Sequence, residues 1–334
     1  MFTEQIKNSI FVQNKKRMKR FIGILCCAIA FSACDDGDLI VDTIDFDEVP
    51  TSTCGEANNL LFKLKDGESL ILNVPEDTFE EDATDVNDPI KLEINSTNQV
   101  VYNFYDGNVT SNKICDLIPP ASPNIKTQWN ASSGVIQITT EVVKKLNETD
   151  NSTRITGYKN NIVFTDITFT KGDGTTQFYE SFSFGDYLKP ITPLALAFSQ
   201  ELFICDTSKL VYVFNGSESL TLKIDPKLID NVNTPIDKPR IGTIGPVMNK
   251  LVYRGYERGV VGQDYFCQTT DPLLPAVKEE WLGKTGGTIE VTTTTTGPDT
   301  FTHTIVLKNV TLEKGNSNFQ LGDKYKYGEL QVKL

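Results

Sequence analysis

The amino-acid sequence predicts an all-β protein made of two tandem antiparallel β-sandwich domains, or open β-barrels, related by internal duplication. Three observations predict this organisation: a leader of basic and then apolar residues, a repeat whose copies lie about 150 residues apart, and short strand-like runs separated by turn residues. We place the leader at residues 1–33, an acidic tether at 34–50, and the domains at 51–190 and 191–334. Each domain is long enough to bury a core.

The leader has the layout of a secretory signal peptide. A basic block at 15–20 precedes an apolar run at 21–31, and small residues occupy positions 32 and 33. The apolar run is too short to span a bilayer as a helix, so the pattern predicts a cleaved signal rather than a retained anchor or a buried helix. Met18 could begin a complete signal by itself, which leaves the true start codon open.

Cys34 follows the small residues, and Phe31-Ser32-Ala33-Cys34 resembles a bacterial lipobox. The resemblance implies that the Cys34 thiol is diacylated after cleavage, which would attach the chain to outer-membrane lipid. Two or three acyl chains hold a protein firmly, whereas a single chain binds only marginally.

The acidic tether begins directly after this cysteine. Its sequence Asp35-Asp36-Gly37-Asp38 resembles the export signal of surface lipoproteins of Bacteroidota, the flavobacterial type, and implies a protein exposed at the cell surface. An aspartate behind the lipidated cysteine is also similar to an enterobacterial inner-membrane retention signal, and short acidic runs are usually solvated spacers. A periplasm-facing location therefore stays open. Asp42-Thr43-Ile44 is similar to the O-glycosylation sequon of that phylum, which makes Thr43 a candidate site.

The mature chain is strongly acidic. The first 33 residues carry six basic side chains and one acidic side chain, so the net charge of −12 for the whole chain becomes −17 without them. Such a surface repels phosphate backbones and therefore disfavours nucleic acid as a partner.

The repeat is visible as matched segments in the same order in both copies. Cys54 with residues 60–72 corresponds to Cys205 with residues 210–222. Further matches, with the first copy before the second, are Cys115 and Trp129 with Cys267 and Trp281, Ile162–Gly172 with Ile305–Gly315, and Phe184-Gly185-Asp186 with Leu321-Gly322-Asp323. We interpret both tryptophans as core aromatics.

Four cysteines remain in the mature chain apart from Cys34, and an even number in an exported protein favours disulfides. Each copy has one cysteine at its start and one about 61 residues later, so we predict the pairs Cys54–Cys115 and Cys205–Cys267. Closing a loop of that length stabilises a domain by ~4 kcal/mol in the chain-entropy model. The crossed connectivities would have to bridge the domains.

Strand patterns dominate both copies, and we expect seven to nine strands in each. The clearest alternations are residues 60–65, 135–140, 162–169 and 288–292, and turn residues fall at 66–67, 106–107, 172–174 and 286–287. Only Glu141–Leu146 and Pro226–Ile229 suggest a helical turn. The joint at 188–197 has two prolines and an apolar end, which predicts that it either begins the second domain or packs in the interface between the domains, with a fixed angle between them.

The sequence predicts no catalytic residue, metal ligand or cofactor. The lone histidine, His303, lies in an alternating run and is expected to be an exposed strand residue, with Asn160 or a neighbour as its counterpart. The acidic insert 76–88 could ligate calcium, but its spacing does not fit an EF-hand, so a mobile solvated loop is the main expectation.

Aromatic residues in rows on a sheet could form a glycan-binding face. The candidates are Tyr102, Phe104, Tyr105, Tyr253, Tyr256, Tyr265, Tyr325 and Tyr327. We therefore predict an exported lipoprotein with a non-enzymatic structural or binding role, and a glycan or a protein as its ligand. The alternative is a hydrolase of extracellular polymers that uses a carboxylate pair which the sequence does not identify.

Overall fold

The computed structural model describes residues 43–55, 59–85, 87–257, 261–270 and 272–334. Contacts divide the chain into Met1–Asp45 and one compact unit, Phe46–Leu334. Of the first unit, only residues 43–45 are described, and they belong to no strand or helix. The predicted signal peptide, Cys34 and most of the tether lie outside the described residues. In the described ranges, no helix is long and apolar enough to cross a membrane.

The compact unit confirms the all-β prediction. Its first sheet has eight strands, in the order β1-β2-β3-β5-β6-β7-β8 with β4 paired to β6, and all of its pairings are antiparallel. These strands are β1 Ser52–Thr53, β2 Leu60–Lys65, β3 Glu68–Asn73, β4 Ile90–Glu93, β5 Gln99–Tyr105, β6 Ile125–Asn147, β7 Ser152–Lys171 and β8 Thr176–Pro190.

The second sheet has eleven strands, in the order β12-β15-β16-β19-β9-β10-β11-β13-β14-β17-β18. They are β9 Glu201–Cys205, β10 Leu210–Asn215, β11 Glu218–Lys223, β12 Arg240–Ile244, β13 Lys250–Tyr256, β14 Val277–Gly283, β15 Gly286–Gly297, β16 Thr300–Lys308, β17 Thr311–Lys314, β18 Ser317–Gln320 and β19 Tyr325–Lys333. Its β9 and β19 pair in parallel. Both sheets curl into half-barrels.

Helical structure in the described residues is limited to single turns. These are the 3₁₀ turns η1 Glu76–Thr78, η2 Pro226–Ile229 and η3 Gln263–Tyr265 and the short helix α1 Ser111–Cys115. The predicted turn at 226–229 is confirmed, and the carboxylate of Asp225 accepts a hydrogen bond from the Lys227 amide at its start. The predicted turn at Glu141–Leu146 is wrong, because this segment belongs to β6 and pairs with β7 throughout.

One predicted hairpin signal has a different role in the structure. Gly286-Gly287 opens β15 instead of forming a turn between strands. Gly287 has φ +69°, and a Cβ there would lie 2.9 Å from the Asn309 carbonyl oxygen, so the glycine permits close backbone approach.

Residues with positive φ recur at matching positions in the two copies. Asp166 and Asn309 have φ values of 51° and 52° at matching positions after Ile162 and Ile305. Gly185 pairs with Ile162, and Gly328 pairs with Ile305, each at a break in strand register. The structural counterpart of Gly185 is therefore Gly328 and not the predicted Gly322. Ile162 to Gly185 and Ile305 to Gly328 both span 23 residues, so the copies align here without a gap, whereas the predicted match to Gly322 would need one.

The copies differ most in one hairpin. Strand β6 corresponds to β14 and β15 together, and β7 corresponds to β16 and β17 together. The segment from Trp129 to Ile162 spans 33 residues, whereas the matching segment from Trp281 to Ile305 spans 24, so the β6–β7 hairpin is the longer one. The extra length carries Ile155 and Tyr158 of β7 into the hydrophobic core that is otherwise built by the second sheet. The predicted joint reaches the same core through the buried Leu196 and through Leu194, which packs against it.

Candidate functional site: a cavity between the two sheets

A partly enclosed cavity of about 270 Å³ lies where residues of the two sheets meet. One wall comes from β7 and the segment that follows β8, and the other comes from β14, β17 and β18. The apolar lining residues are Ile155, Pro190, Ile191, Leu194, Trp281 and Phe319. The polar lining residues are Glu81, Arg154, Tyr158, Thr192, Lys278, Glu279 and Lys314.

The fold assembles this cavity from distant segments because the β6–β7 hairpin is extended. Thr153 Oγ1 accepts a hydrogen bond from the Gln320 amide, 2.8 Å, and Lys144 Nζ donates to Asn318 Oδ1, 2.8 Å. Both contacts join the hairpin tip to the edge strand β18. The hairpin therefore forms part of the wall that faces β14 and β17.

Aromatic and cationic side chains stack on the far wall. The Trp281 ring packs edge-on against Phe319 at 5.1 Å, and Lys314 Nζ lies 5.1 Å from the Trp281 ring centroid. The guanidinium of Arg154 lies 5.8 Å from the Phe319 ring. The same lysine-over-tryptophan contact occurs in the first half, where Lys171 Nζ lies 4.1 Å from the Trp129 ring. Both tryptophans are buried, as predicted for core aromatics.

The two acidic residues of the cavity are each held by a partner. Lys189 Nζ lies 3.3 Å from Glu81 Oε1, and Trp281 Nε1 donates to Glu279 Oε2 at 3.0 Å. These contacts fix one oxygen of each carboxylate in place. The cavity thus has fixed acceptors as well as the cationic donors of Arg154 and Lys314.

Tyr158 supplies a buried hydroxyl on the first wall. Its side chain is fully buried, and the hydroxyl has no hydrogen-bond partner within the part of the chain that the structure describes. Burial raises the pKa of Tyr158 to about 12, an effect that the nearby Ser317 opposes and the carboxylates of Glu81 and Glu279 reinforce. The hydroxyl therefore remains protonated at neutral pH and can donate as well as accept a hydrogen bond.

His303 lies outside the cavity and has a structural environment. It belongs to β16 as expected, but the prediction that it is exposed is wrong, because its side chain is fully buried. Its Nδ1 lies 2.8 Å from Thr293 Oγ1, and its Nε2 lies 3.1 Å from Asn231 Oδ1. Burial, and then the charge of Arg240, lower the pKa of the imidazole. The side chain is therefore held neutral inside the second half-barrel.

The first copy has an equivalent buried polar pair. Asn160 faces Thr140 across β6 and β7, and Thr140 Oγ1 donates to Asn160 Oδ1 at 2.7 Å. His303 faces Thr293 across β15 and β16 in the same way. A threonine bonded to a polar partner is thus a shared internal feature of the two copies.

The predicted aromatic rows do not form an exposed face. Five of the eight candidates are buried: Tyr105, Tyr253, Tyr256, Tyr265 and Tyr327. Phe104 is exposed, and Tyr102 and Tyr325 are half-buried. Tyr327 shows that these residues stabilise the core, since its hydroxyl donates to the backbone carbonyl oxygens of Val211, at 2.9 Å, and Leu220, at 2.8 Å.

The acidic insert is an ordered contact between the halves rather than a solvated loop. Phe79 in this segment is buried, and Asp82 Oδ1 accepts hydrogen bonds from the Ser317 hydroxyl, 2.6 Å, and the Ser317 amide, 3.0 Å. Within the described ranges, which omit residue 86, no group of three or more acidic, cysteine or histidine side chains is arranged to hold a metal ion.

The cysteines of the two halves are paired within each copy. Cys54 is bonded to Cys115 and Cys205 to Cys267, each with a Cα–Cα distance of 5.3 Å. These are the pairs that the repeat favours. Thr43, the candidate glycosylation site, is exposed, while the candidate acylation site Cys34 lies outside the described residues.

Exposed aliphatic side chains follow the second cysteine of each copy. Leu117 and Ile118 in the first half, and Leu273 and Leu274 in the second, are almost fully exposed. Both pairs lie between the second cysteine and the tryptophan of their copy, two and three residues after Cys115 and six and seven after Cys267, and neither pair was predicted to be exposed.

No family model matches the chain, and neither a curated protein nor a solved structure does. The chemistry of the cavity is therefore the guide to function. The sequence placed Trp281 in the core, residues 190–194 in the joint between the domains and Glu81 in the acidic insert, but it did not bring these residues together in one site. The available signal was the extra length of the β6–β7 hairpin relative to its counterpart.

Proposed function

We propose that the chain is an exported lipoprotein, attached to outer-membrane lipid through acylated Cys34 and exposed at the cell surface, whose body has a non-enzymatic binding role. The lipobox-like residues 31–34 support the lipid anchor, and the acidic residues 35–38 support exposure at the cell surface. The observation that carries the binding role is the cavity between the two sheets, which combines apolar walls with fixed donors and acceptors. Small-molecule sites typically have this composition.

The tether sets how far the body can stand from the bilayer. Phe46 is buried and packs edge-on against Tyr102, with a centroid distance of 6.4 Å, and Lys63 Nζ donates to the Phe46 carbonyl oxygen at 3.3 Å. Phe46 is therefore held by the compact unit. From Cys34 to Phe46 an extended chain spans at most about 40 Å. The binding body would then lie near the membrane surface.

A hydrolase acting on extracellular polymer is the second candidate, because Glu81 and Glu279 line the same cavity. Retaining and inverting glycosidases need one carboxylic acid and one carboxylate beside the scissile bond. Here Lys189 and Trp281 already hold one oxygen of each side chain. These contacts favour a role for both carboxylates in orienting a ligand.

The lipid anchor and the surface location are tested by labelling, fractionation and protease treatment. Cells that express the chain should incorporate labelled palmitate into it, and Cys34→Ala should abolish the label and release the protein from membranes. Proteinase K added to intact cells should digest the wild-type protein if it faces outward. Unchanged fractionation of the C34A variant would overturn the proposed anchor.

The binding role is tested separately from the lipid anchor and the location. Purified mature protein should bind a ligand without converting it, whereas release of new reducing ends from a polysaccharide, lost in Glu81→Gln or Glu279→Gln, would support the hydrolase instead. Asp85→Asn is a matched control, because Asp85 is an exposed acid that does not line the cavity.

A further inference from the structure

We infer that the cavity between the two sheets binds a neutral polyhydroxylated ring, of the size of one monosaccharide unit. This inference rests on the proposed function, because it names the ligand of the same site. Three features of the cavity lead to it: an unpartnered buried hydroxyl, charged groups of both signs, and an apolar wall of limited extent.

The unpartnered hydroxyl belongs to Tyr158. Buried polar groups in proteins are nearly always hydrogen-bonded, so this unpartnered hydroxyl, on a residue that lines the cavity, is a polar group that a ligand would satisfy. The Ser317 hydroxyl is near Tyr158 and donates to Asp82 Oδ1, but it does not meet hydrogen-bond geometry with the tyrosine hydroxyl. A ligand hydroxyl that reached this point could accept the tyrosine proton or donate to the oxygen.

The charges of the cavity disfavour a ligand that carries only one sign of charge. An anionic ligand would have to approach Glu81 and Glu279, and a cationic ligand would have to approach Arg154, Lys278 and Lys314. A pure hydrocarbon would remove all of these charges from water without replacing their hydrogen bonds. Hydroxyl groups both donate and accept, so a neutral polyol can satisfy carboxylates, cations and the tyrosine together.

The apolar wall and the volume set the size of this ligand. Ile155, Ile191 and Leu194 present aliphatic surface to the cavity, which suits the C–H face of a sugar ring. The volume of about 270 Å³ lies just below the range of about 300–1,000 Å³ typical of drug-sized ligands. One ring fits such a space better than an oligosaccharide.

A single-tryptophan form of the protein can report binding directly. The chain has two tryptophans, Trp129 and Trp281, and only Trp281 lines the cavity. The Trp129 indole nitrogen has no hydrogen-bond partner in the described residues, so Trp129→Phe removes no such bond. The mature Trp129→Phe protein, purified in detergent, is titrated with the methyl glycosides of glucose, galactose, mannose and N-acetylglucosamine. Glucuronate, glucosamine and decanoate are the anionic, cationic and hydrocarbon probes.

We expect at least one neutral glycoside to change Trp281 emission saturably. Tyr158→Phe should weaken its binding about 3- to 10-fold through the loss of one hydrogen bond. Ile155→Phe, which fills the cavity, should abolish binding, and Leu194→Phe tests the same point from a different segment if the first variant fails to fold. Tyr179→Phe is the matched control, since Tyr179 does not line this cavity, and its affinity should equal that of the parent.

Other outcomes would overturn the inference in distinguishable ways. Binding of glucuronate, glucosamine or decanoate alone, lost in Ile155→Phe, would refute the neutral-sugar class and leave the binding role intact. A glycoside response that survives both cavity-filling variants would move the site elsewhere. If no probe changes Trp281 emission, the proposed ligand class is refuted. The lipid anchor at Cys34 is tested separately, by fractionation.

Discussion

Replacing Asp82 by alanine should weaken the contact between the acidic insert and the second sheet. One carboxylate oxygen, Asp82 Oδ1, accepts three hydrogen bonds from the β17–β18 turn: the Ser317 hydroxyl at 2.6 Å, the Ser317 amide at 3.0 Å and the Asn316 amide at 3.2 Å. The carboxylate also sits where a side chain on Gly315 would be, so the turn is shaped around it. The interaction is specific to residue 82.

The magnitude follows from the number and kind of these bonds. Hydrogen bonds to a charged group contribute about 1.5–3 kcal/mol each. Here the three bonds share one oxygen, and Asp82 is partly exposed, so they do not add fully. We expect Asp82→Ala to reduce the free energy of unfolding by about 2–4 kcal/mol.

Guanidinium denaturation of residues 35–334, which contain the whole compact unit, measures this loss. Asp85→Ala is the control, because Asp85 lies in the same insert and its carboxylate accepts a bond from the nearby Asn87 amide at 2.8 Å. A double-mutant cycle with Ser317→Ala should give a coupling energy of about 0.5–3 kcal/mol. If Asp82→Ala costs no more than Asp85→Ala, or if the cycle shows no coupling, Asp82 does not hold the β17–β18 turn.

Three further predictions concern the interior of each half. The folded state lowers the pKa of His303, so the unfolded chain takes up the proton at a higher pH and the free energy of unfolding should fall as the pH drops below about 6.5. The variant His303→Asn, which introduces the residue type found at Asn160 of the first copy, should flatten this dependence in urea titrations at pH 7.5 and 5. An equal change in the free energy of unfolding between the two pH values in both proteins would contradict this prediction. Cys205→Ser with Cys267→Ser should cost about 2–5 kcal/mol, and intact mass after alkylation without reductant should show no modified cysteine among the four of the compact unit. Gly328→Ala should cost about 1–3 kcal/mol, because φ is +151° and its Cβ would lie 2.7 Å from the Gln200 carbonyl oxygen; a change below 0.5 kcal/mol in the thermal unfolding free energy would refute the strain argument.

The burial of His303 could have been predicted from the alternation of its strand. Side chains two residues apart on a strand share a face, and His303 has the parity of Ile305 and Leu307, which are both fully buried. The alternation therefore already indicated an inward histidine. The expectation of exposure came from residue type alone, and the hydrogen bonds to Thr293 and Asn231 are what make burial tolerable.

Glu141–Leu146 shows the limit of local pattern. Its apolar residues have helical spacing, yet the segment is a strand because β7 supplies hydrogen-bond partners along its whole length. Those partners lie up to 18 residues away in the chain, from Glu141 to Lys159, so nothing in the short window predicts them.

The sequence by itself determined the all-β class, the duplication, the favoured cysteine pairs and the buried tryptophans, because alternation, turn residues and repeated spacing are local or periodic signals. Only the tertiary structure decided that the long β6–β7 hairpin of the first copy joins the core of the second, that Asp82 holds the β17–β18 turn, and that a cavity forms beside Tyr158 and Trp281. Each of these features is made by side chains far apart in the chain, and their proximity depends on how two curled sheets pack together.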